Sequence, residues 1–136
     1  MTSVVELSEM MKNYTQKFSE HLARRDYDSA IPFGLQVLET LLKIANEEIV
    51  GALQDPDLVK VGKDILKNYE NIVSYVKGSL NTLKYVSPIY AAGEKEQLVG
   101  LIASSVSELF NFVMGALLIV ASIQGRQSPG EAFGVV

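Results

Sequence analysis

Apolar residues along this chain recur at steps of three and four, the spacing that stacks side chains on one face of a helix. In the first segment, Thr2 to about Arg25, one line holds Val4, Leu7, Met11, Tyr14, Phe18 and Leu22. Thr2 or Ser3 with Glu6 suits the start of that helix, and Arg24 and Arg25 suit the negative end of its dipole. A second helix is predicted from near Ser29, with Asp26, Asp28 and Ser29 as caps. Pro32 must then lie in its first turn, where a missing N–H costs nothing. The stripe of Ile31, Leu35, Leu38, Leu41, Leu42, Ala45, Ile49 and Leu53 continues to a break at "QDPD", where Asp55 caps and Pro56 opens a third helix. There Leu58, Val61, Ile65, Tyr69, Ile72, Val76, Leu80 and Leu83 are predicted to face inward, with Gly78 weakening the last turns by roughly 1 kcal/mol relative to alanine. "VSPIYAAGEKEQ" reads as a connector with room for a short helical turn. Glu94 and Glu96 favour the positive start of a fourth helix that runs to about Gln124, with Gly125 as its C-cap.

The fourth helix breaks the amphipathic pattern. From Leu98 to Ile123 apolar residues occur on nearly every side and only Glu108 is charged, which predicts a helix surrounded by protein or by lipid. The expected fold is therefore all-α: an antiparallel four-helix bundle with a largely buried apolar C-terminal helix, residues 1–125 forming one domain and 126–136 a tail. No strand-like alternation and no internal repeat competes with this. Within the last helix Gly100, Ser104, Ser107, Asn111, Gly115 and Ser122 share a face, interrupted by Leu118. Small residues in a stripe either form the exposed side of a bundle helix or let a second backbone approach closely. The second reading makes Gly100, Ser104, Ser107, Asn111 and Gly115 an interface, and Phe133, Val135 and Val136 of the tail add apolar area that gains from being covered.

Composition narrows the functional classes. The 136 residues are 48% hydrophobic and 21% charged, inside the globular range, and there is no cysteine. Thiolate metal sites, disulfides and cysteine nucleophiles are thereby excluded, which suits an intracellular, cytoplasmic or virion-associated protein. The N-terminal "MTSVVELSEMMKNY" lacks the basic flank and unbroken apolar run of an export signal. A net charge of −4 argues against bulk capture of nucleic acid. Lys60, Lys63, Lys67 and Lys77 with Tyr69 and Tyr75 could form a local strip, but Asp57, Asp64 and Glu70 interleave with the lysines as on an ordinary solvated helix face.

No residue set carries catalytic chemistry. His21 is the only histidine, so neither a histidine-rich metal site nor a ferritin-like carboxylate–histidine pattern is available. Glu47 with Glu48 point apart on a helix, and Asp26 with Asp28 are accounted for as caps. Gly125, Gly130 and Gly134 lack the strand and helix that frame a phosphate-binding loop. No catalytic, metal or cofactor residues are assigned. The lipid reading of the last helix meets a shortfall, because Leu109–Ile123 is under the ~20 apolar residues of a span and extending it backwards adds Glu108 and three serines.

The junction "EHLARRDYDSAIPFGLQVLE" resembles the helix turn of a tetratricopeptide repeat at Arg25, Tyr27 and Ala30. Phe18 and Val37 stand where that repeat has small residues, and its closing proline is absent. The likeness therefore implies an antiparallel helix pair and no peptide groove. The same hairpin is similar to HEPN domains, but no histidine follows His21 to complete their arginine–histidine motif, so no nuclease role carries over. The expectation is a non-enzymatic helical interaction protein, a homo-oligomer or the small subunit of a larger complex. The alternatives are a membrane-associated protein anchored by its last helix and a nucleic-acid-associated subunit.

Overall fold

The computed structural model describes residues 4–124. Four helices make it up: α1 (Val4–Ala23), α2 (Tyr27–Ile44), α3 (Pro56–Leu83) and α4 (Pro88–Gln124). A π-helical turn, Ala45–Ile49, and a 3-10 turn, Val50–Ala52, prolong α2 towards α3. No strand occurs among the described residues.

α1 ends in a turn that the sequence signals only in part. Arg25 adopts a left-handed φ of 56°, Asp26 N–H reaches His21 O at 2.9 Å and Arg25 N–H reaches Leu22 O at 3.0 Å. This is the paired closure of a Schellman motif, with arginine where glycine is usual. The next residue starts α2: Asp26 Oδ1 accepts the Ser29 N–H at 3.2 Å, so helix two begins two residues earlier than predicted. Pro32 consequently lies in the second turn rather than the first. It is exposed, as is Asp28, whose carbonyl lacks the N–H that another residue would supply, so that group faces water.

α2 is the helix that the others surround. It packs against α1, α3 and α4, and ten of its residues are buried: Ala30, Ile31, Gly34, Leu35, Val37, Leu38, Thr40, Leu41, Leu42 and Ile44. The Thr40 hydroxyl is satisfied by donating to Gln36 O at 2.7 Å. The predicted continuous helix to Leu53 is interrupted after Ile44. Asn46 Nδ2 donates to Leu42 O at 2.9 Å and the Val50 N–H points to Ala45 O and Asn46 O. The widened turn shifts the register, which lets the consecutive Ile49 and Val50 both be buried. Leu53 is then extended and half-buried, and Asp55 Oδ1 accepts the Asp57 N–H at 2.9 Å to cap α3 with Pro56 at its first position, as the sequence predicts.

On α3 the inward line is offset from the predicted one. Val59, Gly62, Leu66, Tyr69, Val73, Val76, Leu80 and Leu83 alternate steps of three and four and are all buried or half-buried. Leu58 and Val61 are exposed. The correction follows from Gly62, which carries no apolar signal yet sits where a Cβ would meet Val50 Cγ2 at 3.3 Å. α3 continues without a break through the exposed Gly78.

α4 starts six residues before Glu94. Ser87 Oγ accepts the Tyr90 N–H at 3.3 Å with Pro88 at the first helical position, so "VSPIYAAGEKEQ" supplies a helix start rather than a connector. Two ion pairs tie the neighbours to α2: Lys77 Nζ to Glu39 Oε1 at 2.7 Å from α3, and Lys95 Nζ to Asp28 Oδ1 at 2.6 Å from α4. The expected largely buried C-terminal helix is not what the single chain forms. Of its most apolar stretch 28% is buried, and the central place belongs to α2.

Candidate functional site

α4 divides into a covered line, an open face and a groove. Leu98, Ile102, Ser105, Leu109, Val113 and Val120 recur at helical steps and are buried against the core. On the opposite side Gly100, Ser104, Ser107, Asn111, Gly115 and Ser122 are all exposed, together with Leu118. A Cβ added at Gly100 or Gly115 would meet nothing within 4 Å among the described residues. The Ser104 hydroxyl donates to Gly100 O at 2.9 Å, within its own helix. The five predicted interface residues of α4 are therefore brought together on one outward surface, with Ser107 at its margin also lining the groove on the α1 side. Phe133, Val135 and Val136 lie outside the described residues.

The electrostatics of this surface are set by one residue. Glu108, the sole charge between Leu98 and Gln124, accepts a long hydrogen bond from the Tyr69 hydroxyl at 3.5 Å. Burial first, and then the Glu108 carboxylate, push the Tyr69 pKa above its ordinary value, because both disfavour a phenolate. This contact anchors α4 to α3 on one flank. Beyond it Ile119 is exposed, and so is a cluster of Tyr85, Val86, Ile89 and Tyr90 at the α3–α4 corner.

The other flank of α4 borders a groove of about 730 Å³. Val37 and Leu41 of α2 form its floor, Met11 of α1 one wall, and Val106, Phe110 and Met114 of α4 the other. Lys12, Thr15 and Gln16 stand on its α1 rim, all exposed. α1 and α4 both pack on α2 and make little contact with each other, which leaves the groove open between them. No single periodic stripe in the sequence announced this feature, since its lining is shared among three helices, with Val106, Phe110 and Met114 on one flank of α4, Met11 on α1 and Val37 and Leu41 on α2. Its signal, Met11 and Met114 on facing helices, becomes legible only once the packing is known.

The remaining candidates occupy structural positions. The His21 ring stacks on Phe33 at 5.6 Å with a 4° interplanar angle, and Lys17 Nζ lies 5.4 Å from the Phe33 centroid. His21 Nδ1 is 3.6 Å from Asp26 Oδ2, an ion-pair distance but too long for a hydrogen bond, and the nitrogen is buried without one. Asp26 caps α2, and hydrogen bonds from Ser29 hold its carboxyl below the ordinary range, with His21 and Arg24 adding charge. Asp28 pairs with Lys95. Lys60, Lys63 and Lys67 are exposed; Tyr75 is exposed while Tyr69 is half-buried, so the two tyrosines do not share an outward strip. Among the described residues no group of three histidine or carboxylate side chains is placed to hold a metal ion. Comparison with family models, curated proteins and solved structures finds no match to the chain.

Proposed function

We propose that this protein is a non-enzymatic helical assembly protein that works as a homo-oligomer, with the outer face of α4 as its contact surface. The observation that carries the reading is an inversion of burial and polarity. α2, with ten buried residues, keeps Asp28, Glu39 and Lys43, whereas α4, with far less of its surface covered, has Glu108 alone in its last 27 residues. A helix bathed in water gains nothing from such a composition, while one covered from a second side does. In this reading the chain is an antiparallel four-helix bundle whose last helix becomes largely buried on assembly. Pairing of Gly62 with Val50 and Lys77 with Glu39, and of Lys95 with Asp28 and Ile102 with Gly34, supports that order of helix directions.

In a twofold contact the stripe meets itself, Gly115 permits close approach, and Asn111 finds a hydrogen-bonding mate across the axis. Sedimentation or light scattering without detergent tests this. The wild type is expected as a dimer or higher oligomer, and Gly115→Leu as a monomer with unchanged helical circular dichroism, because none of the described residues comes within 4 Å of a Cβ at that site. A wild type that stays monomeric at high micromolar concentration overturns the reading and points to a different chain as partner.

A second reading has its own support: Pro88–Ser122 is one helix long and apolar enough to cross a membrane. Its test is partition. Recovery exclusively in the membrane pellet, with co-flotation on phosphatidylcholine vesicles, makes α4 an anchor rather than an assembly face.

A further inference from the structure

We propose that the groove between α1 and α4 is the docking site for the chain's own segment 131–136, with Phe133 seated against Val37, Leu41 and Met114. The inference concerns the α1 flank of α4 and does not depend on whether the outer face assembles. The groove is walled by Met11, Val106, Phe110 and Met114, so its occupant must be apolar. The sequence that follows α4, "GRQSPGEAFGVV", offers such an occupant within reach.

Reach decides between candidates. At about 1.5 Å per residue, Gln124 stands roughly 15 Å beyond Met114 along the helix, and Phe110 roughly 21 Å. Phe133 lies nine residue steps beyond Gln124, and nine extended steps span about 30 Å. The segment therefore returns to the Phe110–Met114 end of the groove with slack for a reversal. Ser128-Pro129-Gly130 is suited to make that reversal, since proline presets one turn position and glycine accepts the next.

Chemistry agrees with reach. In an extended segment Phe133 and Val135 point to one side, towards the floor, while Ala132, Gly134 and Val136 point to the other. A tether this short holds the segment at an effective concentration of order millimolar, which favours the chain's own segment over that of a second copy.

The absence of cysteine makes a direct test clean. Two double variants of the full chain are oxidised at low micromolar concentration: Lys12→Cys with Gly134→Cys across the groove rim, and Asn71→Cys with Gly134→Cys as a control on the exposed side of α3. Non-reducing electrophoresis and intact mass read the products, and circular dichroism confirms the fold. The intramolecular disulfide is expected to form about tenfold faster in the groove pair than in the control, and to lose that advantage when Phe133→Ala is added. Equal rates, or no disulfide in either pair, overturn the proposal. Disulfide-linked dimers formed by the groove pair alone also overturn it, because they place a second copy's segment in the groove. Sedimentation of the same variants reads the α4 assembly separately.

Discussion

Gly34 is the point at which three helices meet, and replacing it by alanine isolates what close approach is worth. A Cβ built there lies 2.7 Å from Ile102 Cγ2 on α4 and 2.7 Å from Phe18 Cε1 on α1. Both neighbours are fixed: Ile102 is fully buried and branched at Cβ, so its methyl cannot swing away, and the Phe18 ring is 6% exposed. Two effects of opposite sign compete. Alanine in a helix interior gains about 1 kcal/mol over glycine, and inserting a methyl into a packed core costs about 1–3 kcal/mol. With two contacts well inside van der Waals distance the second wins, and Gly34→Ala is expected to be destabilised by about 1 kcal/mol, lowering the melting temperature by about 3 °C. Gly78→Ala supplies the internal reference, since a Cβ there meets no other side chain within 4 Å among the described residues and the helix-propensity gain remains. Urea denaturation monitored by circular dichroism compares the midpoints at constant slope. If Gly34→Ala matches the gain of Gly78→Ala, the helices do not close on Gly34 and the reasoning is refuted.

Two further outcomes concern the α1–α2 turn. Arg25→Gly, relieving a left-handed residue that carries a Cβ, is expected to raise stability by about 1 kcal/mol, and a lowered urea midpoint would contradict the Schellman geometry. The Asp26 carboxyl is held below its ordinary pKa by the Ser29 hydrogen bonds, so its contribution is present above the unfolded value near 3.8 and is lost as pH falls through the lower folded value. Asp26→Ala should therefore melt below the wild type at pH 7 and converge with it near pH 2; a constant difference across that range would show that the cap does not act through the ionised carboxylate.

Four helices and most of their caps were legible in the sequence because those signals are local. Asp55-Pro56 marks a boundary wherever it occurs, and the stripe from Ile31 to Ile49 survives as buried residues. The misreadings occur where a residue's role depends on what faces it. Gly62 and Gly34 lie on inward lines without apolar side chains to announce them, and each is required by a neighbour on another helix. Leu58 and Val61 have the opposite property: they continue an apolar period beyond the point where a helix is available to cover them. Ser87-Pro88 was a matter of emphasis, for the same dipeptide stops one helix and caps the next.

The candidate site was half legible for a related reason. The exposed stripe from Gly100 to Gly115 could be located because it is a property of one helix, and the structure gathers it on one surface. The groove could not, because Met11, Leu41 and Phe110 come from three helices whose stripes are each unremarkable alone. Apolarity in sequence measures how much a helix gains from cover, and burial in the single chain measures how much cover that chain provides. In α2 the two agree: ten buried positions, and charges kept to the edge that meets water or the lysines of α3 and α4. In α4 they diverge along 27 residues, and the proposed assembly is one source of the missing cover. The divergence has a direction as well. One flank opens onto a groove within reach of the chain's own apolar segment, and the outer face, with no charge but Glu108 at its edge, is the surface we propose for a second copy.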